Sequence, residues 1–228
     1  MEILYEDNEC IIVNKPHGLL VHRTSIASDA TEFLLQIVRD LVGNPVFLVH
    51  RLDRKTSGVI LLSKKRELVS YFQDQFLSKT VSKKYISIVR GFVEPSGCID
   101  YILTNDRNKE QEAITRYKRV QQFEVPFQIG KFPTTRYSLI EVTPETGRFH
   151  QIRKHMAHIF HPIIGDRPHG CNKQNRFWKH ELGIDTMFLH AEELGFVNYQ
   201  GEHTIIVAKK SDNFTRALTI LKTKNILS

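Results

Sequence analysis

The chain has 228 residues, of which 41% are hydrophobic and 25% are charged, and these ordinary globular values argue against a disordered chain. Its 32 Lys and Arg exceed its 25 Asp and Glu, which gives a formal net charge of +7 and favours a polyanionic partner, with nucleic acid as the first candidate. No apolar run approaches the roughly 18 residues that a membrane span needs, and the acidic start MEILYEDNEC is not a secretory signal.

The first 45 residues predict two short strands and a helix. The strands cover residues 3–5 and 10–14, and Pro16 and Gly18 force a turn directly after Lys15. Lys15 is either a solvated strand end or part of a motif. A helix is predicted from residue 28, with Ser28 or Asp29 as its cap, and Gly43 ends it.

The most informative stretch is VFLVHRLDRKTSGVILLSKK, residues 46–65. Two apolar runs, 46–49 and 59–62, predict buried strands on either side of the polar block HRLDRKTSG. A two-residue turn would close such a hairpin, so a nine-residue polar connection indicates a functional loop, although charged surface loops are common. Asp53 is the single acid among basic side chains, which favours its ionised form and makes it a candidate nucleophile.

The middle of the chain predicts a helix at 66–78 and strands at 83–89, 113–121 and 134–142, with a polar loop between 95 and 112. Tyr85 lies at the start of the first of these strands, where a tyrosine usually packs with its hydroxyl at the rim. A last strand and a closing helix follow at 204–208 and 211–221, with Ser211 or Asp212 as the helix cap.

A second informative stretch covers residues 143–170, TPETGRFHQIRKHMAHIFHPIIGDRPHG. A helix is predicted over 149–160 with Ile152, Met156 and Ile159 on one face. Five histidines invite a metal hypothesis, but there is no HExxH motif, and the three cysteines form no CxxC pair. A basic helix that faces a phosphate backbone is the favoured interpretation, and the cysteine usage fits a reducing cytoplasm.

These segments carry a family resemblance. HRLDRKTSG resembles the HRLDxxTSG signature of the RluA-type pseudouridine synthases, and NKPHGLLVH, KKY, TGRFHQIRKH, HPIIGDRPHG and MFLHA are similar to further motifs of that family. The resemblance implies that Asp53 is the catalytic carboxylate and that Arg153 pairs with it. Without the motif, Arg153 would be a surface arginine.

The same resemblance implies further roles in binding the RNA. Tyr85 would be an aromatic residue beside the target base, and Arg51 would enter the space that the flipped base leaves. His50 and Leu189 would also contact RNA or base, although a strand leucine such as Leu189 is usually core.

The implied reaction isomerises a uridine in RNA: the N-glycosidic bond breaks, the uracil turns, and a C–C bond forms. One carboxylate is enough because a uracil anion is a better leaving group than an alkoxide. Whether Asp53 attacks the sugar or takes a proton from it stays open. The base must leave its stack to react, and the scheme requires no metal and no organic cofactor.

The sequence between the motifs, at 132–166 and in KQNRFW, is most similar to the TruC branch, which modifies uridine 65 of tRNA. The alternatives are a synthase that acts on ribosomal RNA, a non-catalytic RNA-binding protein and a nucleoside hydrolase. The expected architecture is one α+β catalytic domain over residues 1–228, with a mixed, mainly antiparallel sheet and no separate RNA-binding module. A membrane association or an obligate protein partner is not expected.

Overall fold

The structure is a computed structural model that describes residues 1–22, 31–105 and 107–227. The chain divides into two compact units. The first unit comprises Met1–Lys83 and His190–Lys209, and the second comprises Lys84–Leu189 and the chain from Lys210 onward. Within the described ranges, none of the helices combines the length and the apolar composition that crossing a membrane requires.

The described residues form twelve strands and five α-helices. The strands are β1 (Glu2–Glu6), β2 (Cys10–Lys15), β3 (Phe47–Leu48), β4 (Ser57–Ser63), β5 (Ser82–Arg90), β6 (Ser96–Asp100), β7 (Leu103–Thr104), β8 (Glu110–Gln111), β9 (Ile114–Val125), β10 (Thr135–Pro144), β11 (Leu189–Val197) and β12 (His203–Val207). The helices are α1 (Leu34–Val42), α2 (Val69–Leu77), α3 (Gln151–His158), α4 (Asn172–His180) and α5 (Asp212–Lys224), and a 3-10 turn precedes α2 at Arg66–Leu68.

The sheet of the first unit is mixed. Its strands lie in the order β1, β2, β4, β11, with β3 also paired to β4 and β12 also paired to β11. All of these pairs are antiparallel except that between β4 and β11. The central strand β4 is buried at all seven positions, so the hairpin predicted around HRLDRKTSG lies in the middle of this unit.

The second unit has an antiparallel order of β5, β10, β9 and β6, and a separate hairpin of β7 and β8. Helices α3, α4 and α5 contribute apolar side chains to its two core clusters, among them Met156, Trp178 and Phe214. The predicted class, α+β with a mixed and mainly antiparallel sheet, is therefore confirmed. The expectation of one single domain stays a prediction.

The helix signals of the sequence are partly confirmed. Gly43 ends α1 in the left-handed conformation with φ 70°, and the Ser211 side chain accepts a hydrogen bond from the Phe214 amide at the start of α5. Helix α3 is shorter than predicted because His150 before it and Phe160 after it both have positive φ. The predicted caps Ser28 and Asp29 lie outside the described residues.

One prediction of secondary structure was wrong, and one helix was missed. Residues 95–112 were predicted as a loop but contain β6, β7 and β8. Of the five positions of β6 only Ile99 is buried, so the strand lacks the apolar alternation that would have revealed it. Helix α4 was not predicted, because NKQNRFWKH lacks apolar residues repeated at helical spacing. Of its two aromatic residues only Trp178 is fully buried.

Candidate active site

Asp53 lies in a tight turn between β3 and β4. The Thr56 amide donates to the Asp53 carbonyl at 3.1 Å and closes this turn. Leu52 and Thr56 on either side are buried, whereas Asp53 is half-buried and Arg51 is exposed. Two buried neighbours thus anchor the turn, and Asp53 between them keeps part of its surface exposed.

Lys15, at the end of β2, stabilises this turn through hydrogen bonds. Its ammonium group has no exposed surface and donates to three carbonyl oxygens, those of Pro16 at 3.0 Å, Leu19 at 2.9 Å and Arg54 at 3.0 Å. Only the protonated ammonium has three donors for three acceptors. Gly18 adds a fourth bond, because its amide donates to the Arg54 carbonyl at 2.9 Å. The interpretation of Lys15 as a solvated strand end was wrong.

Burial and the charge of Asp53 act on Lys15 in opposite directions. Burial lowers the pKa of Lys15 from 10.5 to about 7, and the negative charge of Asp53 opposes part of this shift. The two side chains therefore interact electrostatically at the base of the turn.

His50 fixes the other end of the turn. The Leu61 amide donates to its Nε2 at 3.0 Å, and its ring stacks on Phe76 with centroids 4.6 Å apart. Because Nε2 accepts this bond, the ring is neutral with its proton on Nδ1. Burial, aided by the positive charge of Lys83, holds the pKa of His50 below its ordinary value. The His50 ring therefore supports the Asp53 turn. Its predicted contact with RNA stays a prediction.

The glycine of the TSG segment allows β4 to approach β11 closely. Gly58 has φ +111°, and a Cβ built on it would lie 2.1 Å from the Ala191 carbonyl oxygen. Next to it, the Ser57 hydroxyl lies 2.9 Å from Nδ1 of His190, whose Nε2 lies 3.2 Å from the Ala208 carbonyl. Since a carbonyl only accepts, Nε2 carries the proton and Ser57 donates to Nδ1. Both side chains are buried, so this pair is structural.

In the second unit, the fold brings Tyr85 and Leu189 into one apolar cluster with α3. Leu189 is 3% exposed and belongs to the cluster together with Ile152 and Met156 of α3. Tyr85 is partly buried, packs against the cluster and pairs with Val142 across β5 and β10. The predicted roles of Tyr85 beside the base and of Leu189 on it stay predictions.

Arg153 makes a buried bidentate ion pair. Its Nε and one terminal nitrogen each donate to a carboxylate oxygen of Asp166 at 2.8 Å, and the two side chains are 5% and 0% exposed. The Asn175 side chain of α4 fixes the backbone at Gly165 and Asp166. It accepts a hydrogen bond from the Gly165 amide and donates one to the Asp166 carbonyl. Planar two-point pairing fixes both the charge and the orientation of the guanidinium.

The predicted residues are thus distributed over both units. His50, Arg51 and Asp53 lie together on the first unit, and Tyr85, Arg153 and Leu189 lie on the second. The pairing of Asp53 with Arg153 stays a prediction. Arg153 is not the surface arginine that its helix alone would suggest, because it is buried.

Sequence reasoning missed the role of Asp166 and left that of Lys15 open. Asp166 was noted only as part of HPIIGDRPHG, and the signal that points to it is a lone acid in a segment rich in cations, as for Asp53. Lys15 has the equivalent signal of a lysine followed directly by Pro and Gly, where a turn can close over the ammonium group.

The five histidines of 150–169 do not form a metal cluster. In the part of the chain that the structure describes, no group of three or more His, Cys, Asp or Glu residues is arranged to hold a metal ion. His155 is instead buried between the Thr115 hydroxyl and the Tyr101 carbonyl, at 2.9 and 3.0 Å.

Comparison with known families identifies the fold that carries these residues. Residues 9–158 match the model of the RNA pseudouridylate synthase family. The chain belongs to this family. The matched segment contains the Lys15 turn, the Asp53 turn and α3 with Arg153.

Curated relatives match over most of the chain. A protein of Vibrio parahaemolyticus named tRNA pseudouridine synthase C is 42% identical over 96% of this chain and 94% of its own length. Proteins of the same name from Pasteurella multocida and Haemophilus influenzae are 44% and 41% identical, each over 87% of this chain, and over 86% and 87% of their own lengths. The resemblance to the family and to its TruC branch is confirmed.

Two solved human structures share the fold. RNA Pseudouridylate Synthase Domain Containing 4 superposes with a TM-score of 0.74 at 24% identity, over 97% of this chain and 93% of its own. RNA Pseudouridylate Synthase Domain Containing 1 gives 0.73 at 18% identity, over 100% and 96%. At these identities the likeness supports the fold class alone.

Proposed function

We propose that the protein converts a uridine of tRNA to pseudouridine with Asp53 as its catalytic carboxylate. The observation that supports this most strongly is the Asp53 turn itself. A half-buried carboxylate lies in a turn that Lys15 and His50 anchor from two sides, within a chain that shares 41–44% identity with proteins named tRNA pseudouridine synthase C. Such anchoring fits a side chain that must be held in one geometry for catalysis.

The reaction is an isomerisation, so no atom is gained or lost overall. The bond from N1 of uracil to the ribose breaks, the uracil turns, C5 forms the new bond to the ribose, and the proton that C5 loses is balanced by one that N1 gains. Asp53 would either attack the sugar carbon or remove a proton from the sugar, and each route needs only one carboxylate. Bulk water must be kept from the sugar intermediate, because hydrolysis would leave an abasic site.

The other predicted residues would bind or orient the substrate. Tyr85 would stack on the extruded uracil against the side of Leu189. Arg51, which is exposed beside Asp53, would fill the gap that the base leaves in the RNA stack, and His50 would hold the loop at the RNA. Arg153, oriented by its buried carboxylate partner, would stabilise the ionised form of Asp53.

The finer substrate assignment is also a proposal. We infer that the target is uridine 65 of tRNA and that the reaction takes place in the cytoplasm without a metal, an organic cofactor or an obligate protein partner. Support comes from the names of the relatives and from the excess of seven positive charges, which suits a phosphate backbone.

The experiment that tests this proposal compares two RNA substrates. Unmodified tRNA and unmodified ribosomal RNA are incubated with the purified chain, and pseudouridine is mapped at each position. We expect one new pseudouridine, at position 65 of tRNA, and none in ribosomal RNA. Pseudouridine in ribosomal RNA instead would show that the protein is a synthase with a different RNA substrate. Release of free uracil would show that it is a hydrolase.

A further inference from the structure

The exposed side of α3 carries aromatic rings and cations that the proposed chemistry does not use. In the motif TGRxHQIRxH the two unspecified positions are Phe149 and Lys154 of this chain. The helix buries Ile152, Arg153 and Met156 on its inner side. Phe149, directly before the helix, is 42% exposed, and Lys154 follows on the outer side one turn later.

The Phe149 ring has His150 and Lys154 as neighbours. The Phe149 ring stacks on the His150 ring with centroids 3.8 Å apart, and the Lys154 ammonium lies 5.7 Å from the Phe149 centroid. His150 is held by His169, with Nδ1 and Nε2 of the two rings 3.0 Å apart. The exposed phenylalanine is therefore fixed in orientation although it lies outside the core.

A second ring pair extends the same surface. Tyr101 is 44% exposed and stacks on His158, the last residue of α3, with centroids 3.6 Å apart. Lys154 lies between the two pairs along the helix, because positions 150, 154 and 158 are each one turn apart. Its ammonium donates to the Thr104 carbonyl at 3.2 Å. Together Phe149, Lys154, Tyr101 and His158 form what we call the α3 outer surface.

The charge of this surface is left available for an anion. Lys154 donates to a carbonyl, and so does Arg148, whose Nε lies 3.0 Å from the Glu112 carbonyl. A carbonyl bond orients a cation without neutralising it. Exposed rings spaced by cations match a nucleic-acid strand, in which bases with two stacking faces alternate with phosphates.

We propose that the α3 outer surface binds unpaired nucleotides of the substrate RNA, with a base stacked on Phe149 or Tyr101 and a phosphate on Lys154. This inference rests on the proposed function only in its choice of tRNA as the RNA. The surface would act in substrate binding and would leave the chemical step to the Asp53 turn.

The test measures equilibrium binding of unmodified tRNA transcript together with steady-state pseudouridine formation. We expect Phe149→Ala and Tyr101→Ala each to weaken binding by about 5- to 100-fold. KM should rise by the same factor while kcat at saturating tRNA is retained. Phe149→Trp should keep the affinity, and Phe149→Leu should lose it, because leucine keeps apolar area but has no flat face. Lys154→Gln should reduce the slope of log affinity against log salt by about one.

Phe132→Ala is the matched control. Phe132 is 62% exposed and has the Lys131 ammonium 5.5 Å from its ring centroid, so it repeats the ring and cation away from α3. We expect Phe132→Ala to bind tRNA as the parent does. Parental affinity of Phe149→Ala, or an equal loss in Phe132→Ala, would overturn the inference while an active parent leaves the proposed function standing. A parent that binds tRNA through Phe149 but forms no pseudouridine would refute the function and support the surface.

Discussion

The buried ion pair of α3 gives the sharpest prediction about stability. Asp166→Ala removes both carboxylate bonds to Arg153, each 2.8 Å long, at a site where the two side chains are 5% and 0% exposed. Removing one partner of a buried ion pair costs about 3–5 kcal/mol of unfolding free energy, because the guanidinium stays buried while it loses two charge-assisted hydrogen bonds. For a chain of this size, that lowers the thermal midpoint by roughly 6–20 °C.

Urea unfolding and calorimetry measure this loss, and two further variants separate its causes. Asp185→Ala is the control, because Asp185 pairs with Lys179 at 2.7 Å while 52% exposed, and an exposed pair contributes less than about 1 kcal/mol. In Arg153→Met/Asp166→Leu both charges are absent, so most of the stability should return. The double variant should nevertheless form no pseudouridine if Arg153 acts on Asp53. An Asp166→Ala protein as stable as the Asp185→Ala control would refute the reasoning.

Two further predictions concern the support of the Asp53 turn. Lys15→Met should lower the free energy of unfolding by at least about 1–3 kcal/mol, because it leaves buried carbonyl oxygens without their ammonium donor; urea unfolding measures the loss, and a stability equal to that of the parent would contradict the prediction. Gly58→Ala should cost far more stability than Gly201→Ala in denaturant melts, since both glycines have positive φ but only the Cβ at Gly58 meets a backbone oxygen, that of Ala191 at 2.1 Å. Equal costs would refute the close approach of β4 and β11.

The sequence predicts well those elements whose signal is local. The strands around HRLDRKTSG follow from two short apolar runs, and the pairing of Leu48 with Leu62 confirms the hairpin. The start of α5 follows from Ser211, because a cap needs only a hydroxyl and an amide three residues later. The fold class follows in the same way from strands that come in runs.

Interactions between residues far apart in sequence could not be predicted from a pattern. The Lys15 ammonium is buried because a carbonyl 39 residues later, at Arg54, completes its set of acceptors. The edge strand β6 shows no apolar alternation, because residues on both of its faces are exposed and only Ile99 is buried. The left-handed φ of 56° at His150 also has no sequence signal, since it is a non-glycine residue, and it shortens α3 by moving the helix start to Gln151.

The catalytic role of Asp53 is tested by the rate of pseudouridine formation in unmodified tRNA by Asp53→Asn and Asp53→Ala under single-turnover conditions. Equilibrium tRNA binding and thermal unfolding are measured on the same samples. We expect both variants to fold and to bind tRNA as the parent does but to form no pseudouridine above background. Conversion of uridine by either variant at a rate near that of the parent would contradict this role.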